Sequence, residues 1–388
     1  MGRTPAGDPL NYLHLAQNIV AGRGMVAGTG PLWEGLRAHY PPLYPFLLAI
    51  IGYAAPLGPP TYMLFNSLCD AAASLVLLLI ARDLKLGVAG PLAAAIYFIW
   101  PTNILNAPVA QKESLAALLT LLTMLFMIRR RPIPLGIFAG LLTLTQPALM
   151  TLPIILGLML RTNTVESLKL ARIAVPIAAL VMLPWWVRNY LIFNEFVPLT
   201  DTNGFALYIG NLPPGDGLGW FPLPDRLLAL HNGPAISRAA TAETLHWISA
   251  HPLQFVGKTF WKAFAMLQPD WWYAKPLAWM SPAPPAYFPF RAVPALAFLI
   301  ALFGSLIGSA LLGGTVLRKL FFACAIQLFV VQIWFQFPER HRYFLMPVFI
   351  LIATEGFLRL RASLGARESA RGHGEAAVAV VSGEPRGS

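Results

Sequence analysis

Residues 113 to 161 read ESLAALLTLLTMLFMIRRRPIPLGIFAGLLTLTQPALMTLPIILGLMLR. The first part, 113 to 128, is an apolar run of the length and character of a membrane span. It ends on Arg129, Arg130 and Arg131, a basic cluster of the kind that holds a short loop on the cytoplasmic face. The apolar stretch that follows, 134 to 160, would make a single helix of about 40 Å, longer than the hydrocarbon core. It also carries Pro147 and Pro153, which a continuous helix does not tolerate. We read it as two short spans that break near Gln146 and Pro147, which returns Arg161 to the side of Arg129.

Working outward, the same alternation covers the chain. Of 388 residues, 57% are hydrophobic and 12% charged, and the mean hydropathy is +0.61, beyond what a soluble core needs. Further apolar runs lie at 61–81, 86–102, 171–187, 291–312, 320–337 and 342–358. Arg82 with Lys85, Arg161 with Lys169 and Arg172, Arg318 with Lys319, and Arg359 with Arg361 join Arg129–Arg131 on the cytoplasmic side. The expected fold is an all-α polytopic membrane protein, a helical bundle of about 9 to 10 spans with outer-face loops and juxtamembrane helices. The net charge of +11 comes mostly from these clusters, which excludes nucleic acid as a partner. Cys69 and Cys324 sit inside apolar runs and offer neither a disulfide framework nor a thiolate metal site.

This register divides the chain into a first outer loop with juxtamembrane helices (1–60), N-terminal membrane helices (61–188), an outer loop module (189–290), C-terminal membrane helices (291–360) and a disordered cytoplasmic tail (361–388). The outer face then carries 107–112, 189–290 and 338–341. Within the module, 234–250 suits a surface helix. Residues 253–267, LQFVGKTFWKAFAML, are apolar but interrupted by Lys258 and Lys262, which suits a helix lying at the interface. Residues 40–58, YPPLYPFLLAIIGYAAPLG, are bounded by prolines and are expected to lie along the interface. The first strongly apolar stretch follows some forty polar or mixed residues, so no signal peptide is read. Delivery of an N-terminal loop to the outer face needs a hydrophobic helix before it, and the expectation is that such a span precedes Met1.

Candidate site residues fall on the outer side. Asp8-Pro9 is a helix start, since an aspartate accepts first-turn amides and proline suits the first helical position. Tyr12, Leu15, Ala16 and Ile19 share a face, and Gly22 and Gly24 end the helix. Asp8 reads as a cap or as a catalytic acid. Glu113 opens a span, where the helix dipole favours an acid. PERHRYFLMP, 338–347, sets three cations and an acid against the positive-inside tendency. Glu339 pairing with Arg340 is one reading; an anion site is the other, because arginine's planar fork matches phosphate oxygens, with His341 as a possible assistant. Trp185, Trp186, Trp271, Trp272 and Tyr273 suit an interfacial aromatic belt. There is no Gly-rich phosphate loop, metal-spaced histidine cluster or nucleophile elbow.

Taken in order, GDPLNYLHLAQNIVAGRG, YPPLYPFLLAIIG, QKESLAALLTLL, LPWWVRNYLIFNEFVPLTDTNGFALYIGN and ERHRYFLMPVFIL resemble the polytopic GT-C glycosyltransferases, over most of residues 7–358. The likeness is greatest to the bacterial branch related to protein O-mannosyltransferases and lipid A aminoarabinose transferases. The resemblance implies a catalytic acid at Asp8, a second at Glu113, and a donor-phosphate site at Arg342 and Tyr343. Arg340 and, with a less specific point charge, Lys258 are added to that phosphate site. It further implies a polyprenyl-phosphate-linked sugar as donor, a glycan, lipid or protein as acceptor, and a multi-pass protein of the plasma (inner) membrane acting on its periplasmic or extracellular face. A divalent cation is left open as a cofactor. The alternative is a flippase or transporter of lipid-linked sugars, which needs ionisable groups at mid-membrane; apart from Asp70 the spans are nearly free of them.

Overall fold

The computed structural model describes residues 7–28, 36–161, 163–219, 221–269, 287–336 and 339–382, and among these there are helices and no strand. In chain order the helices are α1 (Asp8–Val20), α2 (Leu43–Gly52), α3 (Pro59–Asp83), α4 (Ala89–Phe98), α5 (Pro101–Asn106), α6 (Glu113–Ile128), α7 (Pro132–Thr145), α8 (Leu152–Met159), α9 (Thr164–Phe193), α10 (Asn203–Asn211), α11 (Gly233–Ala250), α12 (Pro252–Met266), α13 (Tyr287–Leu311), α14 (Val316–Ile326) and α15 (Met346–Ser382). The protein is an all-α membrane bundle. Among the described residues, five segments are long and apolar enough to cross a bilayer: Pro59–Asp83, Thr164–Phe193, Ala292–Leu311, Val316–Trp334 and Arg340–Ala366. Shorter apolar helices, among them Leu43–Gly52, Glu113–Ile128 and Pro132–Thr145, fill in around them.

The opening quotation folds as its charges and prolines require. Ser114 on α6 donates to Asp70 on α3 at 3.0 Å, and Arg129 pairs with Asp83 at 2.5 Å, so α3 and α6 run parallel and finish at one end. The chain then turns back through α7 and breaks at Gln146, before a short 3-10 turn, Pro147–Leu149, and α8. A side-chain atom at Gly157 would lie 3.8 Å from Met127 Cε, so α8 returns to the end where α6 finishes. Arg130 pairs there with Glu166 at the start of α9. The break is held by side-chain amides: Gln327 Nε2 donates to Ala148 O at 2.7 Å and Thr151 donates to Gln327 Oε1 at 2.8 Å. Such substitutes are what a non-helical backbone within a membrane requires.

Glycines set the closest helix contacts. On α7, a Cβ at Gly136 would stand 2.4 Å from Ala174 O of α9, and one at Gly140 2.9 Å from Val181 Cβ. On α13, a Cβ at Gly304 would meet Ala353 Cβ at 2.8 Å and one at Gly308 would meet Ile352 O of α15 at 2.5 Å. Both pairs are spaced Gly-xxx-Gly, which lets backbones approach and gain dispersion contact where lipid removes the hydrophobic driving force. The lipid-facing side of α9 is correspondingly bare, with Leu168, Val175, Leu180 and Leu191 exposed.

Several expectations change in detail. Residues 86–102 do not form one span: α4 stops at Phe98, and Trp100-Pro101 starts the short α5. Residues 40–58 contain a ten-residue helix, about 15 Å long and too short to cross. The last helix runs to Ser382, over residues where composition suggests a disordered tail. On α12 the amphipathicity is turned outward: Leu253, Val256, Phe260 and Phe264 are exposed, whereas Lys262 is fully buried. Trp185 is buried and donates to Leu199 O at 2.6 Å, while Trp186 donates to Pro198 O at 2.6 Å. Residues 271–273 lie outside the described residues.

This topology predicts the sidedness of single cysteines, since Cys69 and Cys324 are buried. In right-side-out vesicles, Gln17→Cys and Ala229→Cys should react with a membrane-impermeant maleimide. Lys169→Cys should react only after permeabilisation. Labelling of all three from outside would refute the arrangement.

Candidate functional site: a recessed charge cluster

At one end of the bundle three elements stop short. Pro101 ends α4, α5 crosses, and α6 begins only at the level of Asp70. The loop between α5 and α6 is tied to α3 by Asn66, whose Nδ2 donates to Ala107 O at 3.0 Å and Val109 O at 2.7 Å. Asn66 lies about 10 Å along α3 from its Pro59 end. Below it, Tyr97 and Ser114 donate to Asp70 at 3.3 and 3.0 Å. Asn103 Nδ2 donates to Tyr97 O at 3.0 Å, and Asn103 Oδ1 accepts from the Tyr343 hydroxyl at 2.8 Å. This buried network ties α3, α4, α5 and α6 to Tyr343.

A group of charged side chains lies beside this network. Tyr12 of α1 packs edge-on against Tyr40 and Tyr44, at 5.0 and 5.3 Å between ring centroids, which seats α1 on α2. That seating brings Asp8 to Arg340. Its carboxylate takes Arg340 Nη1 at 2.6 Å and the Tyr40 hydroxyl at 3.0 Å, and Asn11 donates to that same hydroxyl at 2.6 Å. The Asp8 side chain is 32% exposed and Arg340 19%, so the pair is open on one side. Lys112 and Glu113 complete the group; both are within electrostatic reach of Arg340 and Asp8. Glu113 is buried, and its Oε2 makes no hydrogen bond among the described residues.

Burial by itself raises the Asp8 pKa, but the charge and hydrogen bond of Arg340, the charge of Lys112 and the Tyr40 hydroxyl outweigh it, and the carboxyl titrates below its ordinary value. Burial is the first cause acting on Lys112 as well, opposed by Glu113 and Asp8 and assisted by Arg340; its ammonium is lowered to about 8. An ionised acid stands beside two cations, partly open to solvent. Such a group can accept a proton from a hydroxyl while the cations hold an anion.

The sequence expectations meet this geometry unevenly. Asp8, Glu113 and Arg340 come together, and His341, in the same 3-10 turn as Arg340 (Glu339–Leu345), is within reach of the same charges. Asp8 does not cap its helix. Gly7 holds that position and no side-chain cap bond forms, because the carboxylate is turned to Arg340 and Tyr40 instead. Arg342 is buried, donates to Met266 O and lies 3.4 Å over the Phe298 ring. Tyr343 faces Asn103. Lys258 is removed from the cluster, its ammonium bound to Asn211 O and Gly215 O at 2.8 Å each. Lys262, one turn on, donates to Asn211 Oδ1 at 3.2 Å and is lowered to about 7 by burial and by Lys258.

Lys112 and Tyr40 were missed. Lys112 directly precedes Glu113 in the outer loop, so adjacency was an available signal, whereas nothing in YPPLYPF marks Tyr40 as a partner for an acid. Among the described residues, no three His, Cys, Asp or Glu side chains are placed to hold a metal ion.

The sequence matches no protein-family model and no curated protein. Among solved structures, the fold is similar to the crystal structure of ArnT from Cupriavidus metallidurans in the apo state, at 16% identity and a TM-score of 0.42, over 92% of this chain and 74% of that one.

The cluster predicts how Lys112 titrates. Followed by pH-dependent competitive labelling with an amine reagent, its midpoint should lie at about 8. Arg340→Met should raise that midpoint by removing a like charge, and Asp8→Asn should lower it by removing an opposite one. An ordinary lysine midpoint, unmoved by either substitution, would contradict the grouping.

Proposed function

We propose that the protein is a membrane glycosyltransferase of the GT-C kind. It moves one sugar from a polyprenyl-phosphate-linked donor to a hydroxyl of a lipid, glycan or protein acceptor, on the non-cytoplasmic face of the bacterial inner membrane. The observation that carries this reading is the Asp8 carboxylate, kept ionised by Arg340, Lys112 and Tyr40 and partly open to solvent. The order of sequence motifs shared with that family supports it further.

The chemistry needs few groups. The acceptor oxygen attacks the anomeric carbon on the face opposite the phosphate, so the sugar is inverted. The carbon–oxygen bond to phosphate breaks with its electron pair remaining on the phosphate, and the acceptor proton passes to Asp8. Arg340 and Lys112 stabilise the charge that grows on the departing phosphate. Glu113 orients Lys112 and Arg340. Arg342 and Tyr343, anchored on Met266, Phe298 and Asn103, fix the turn that presents Arg340. Asp70 is engaged by Tyr97 and Ser114, which suits a structural polar residue better than an ion pathway.

The test is incubation of purified protein in nanodiscs with radiolabelled polyprenyl-phosphate sugars and a membrane extract. A labelled product together with free polyprenyl phosphate is expected; passage of intact donor across a vesicle without cleavage would favour the transporter. Asp8→Asn keeps shape and loses basicity, and should lower turnover by about 10²-fold with donor binding retained. Near wild-type turnover would remove Asp8 from the reaction.

A further inference from the structure

The amphipathic helix α12 takes no part in the charge cluster. Lysines in such a helix ordinarily reach for anionic headgroups; here both face inward. Lys258 is held by Asn211 O and Gly215 O, and Lys262 donates to Asn211 Oδ1 at 3.2 Å and to Phe335 O at 3.3 Å. The opposite face is apolar and uncovered. Leu253, Val256, Phe260, Trp261, Phe264 and Leu267 recur at helical spacing and are 43% to 85% exposed. Among the exposed residues of 252–267, Gln254 is the one polar side chain.

The attachments of α12 decide what meets this face. Lys262 binds the carbonyl just beyond the span Val316–Trp334, and Phe255 stacks on Trp334 at 5.7 Å between ring centroids. At the other end of the helix, Met266 O accepts from Arg342, the third residue of the span Arg340–Ala366. The helix is therefore fastened where one span ends and the next begins, at the level of the bilayer boundary. Its inner face joins the core of the bundle, of which Met266 is part and against which Ala263 packs. Its bare face adjoins the bundle's own lipid-facing side, because Val330 and Trp334 at the end of the neighbouring span are exposed at 56% and 44%. An apolar strip at that depth is most stable in hydrocarbon.

We propose that α12 docks into the hydrocarbon of the bilayer leaflet at this end of the bundle, apolar face outward, and needs no anionic lipid to do so. Asn211 and Gly215, gripped by the lysines on its other face, tie the module of α10 and α11 to that leaflet. The docking is independent of what the charge cluster catalyses.

Nitroxide-labelled Phe260→Cys and Phe264→Cys test this, with Ala229→Cys as an exposed control on the module. The full chain is placed in nanodiscs of phosphatidylcholine alone and of phosphatidylcholine mixed with phosphatidylglycerol; Cys69 and Cys324 are buried and stay unlabelled. Collision with oxygen should exceed collision with a water-soluble nickel chelate at both α12 positions, the reverse of Ala229→Cys, and to the same extent in both lipids. Each variant is checked for folding by its thermal transition, and if one fails to fold the other carries the comparison. A nickel excess would place the face in water. Exclusion of both reagents would show that protein covers it, whether a second copy or another segment of this chain. An oxygen excess confined to the phosphatidylglycerol discs would make the contact electrostatic. Any of these three results overturns the proposal.

Discussion

The pairing of Asp8 with Arg340 joins a helix near the start of the chain to the turn that introduces its last membrane span. A carboxylate drawn out of bulk water at the rim of a bilayer stays ionised only if nearby charge and hydrogen bonds exceed its desolvation cost. Arg340 supplies most of that compensation, with Lys112 and the Tyr40 hydroxyl adding to it. Three separate parts of the sequence must therefore converge on one point: the α1–α2 unit, the loop before α6, and the turn before α15.

The bundle is built to allow that convergence. Helices that ran the full thickness would leave no room for charges at the outer end, and α4, α5 and α6 instead stop short. The backbone groups this frees lie at membrane depth, where water cannot serve them, and side chains replace it: Asn66 for the 107–109 loop, Asn103 for the end of α4, and Gln327 for the break before α8. Close Gly-xxx-Gly contacts between α7 and α9 and between α13 and α15 pack the surrounding helices backbone to backbone.

How much of this was legible in the sequence follows from which interactions are local. Apolar runs and basic clusters are periodic along the chain, and they give the all-α membrane class, the break at Gln146 and the return of the chain at Arg161 to the end that holds Arg129. Helix lengths beside proline were harder. Residues 86–102 look like one span, and only packing against α3 and α15 reveals that Trp100-Pro101 turns the chain aside. In the site, Asp8, Glu113 and Arg340 could be named from their positions in outer segments, but their association is tertiary. The Asp8-Pro9 pattern points to a cap, whereas an arginine from the far end of the sequence competes for the same carboxylate and wins. Lys258 illustrates the converse: a cation in an outer helix reads as a phosphate ligand until two backbone carbonyls are found on it.

The central claim is that Asp8 and Arg340 act as a unit, and a double-mutant cycle in nanodiscs tests it most directly. Thermal unfolding of the wild type, Asp8→Asn, Arg340→Gln and the double variant gives the coupling between the two side chains. The account predicts that the double variant loses less than the sum of the singles, with a favourable coupling of about 0.5 to 3 kcal/mol. Additive effects, within about 0.3 kcal/mol, would show that the two charges do not depend on each other, and would contradict the account.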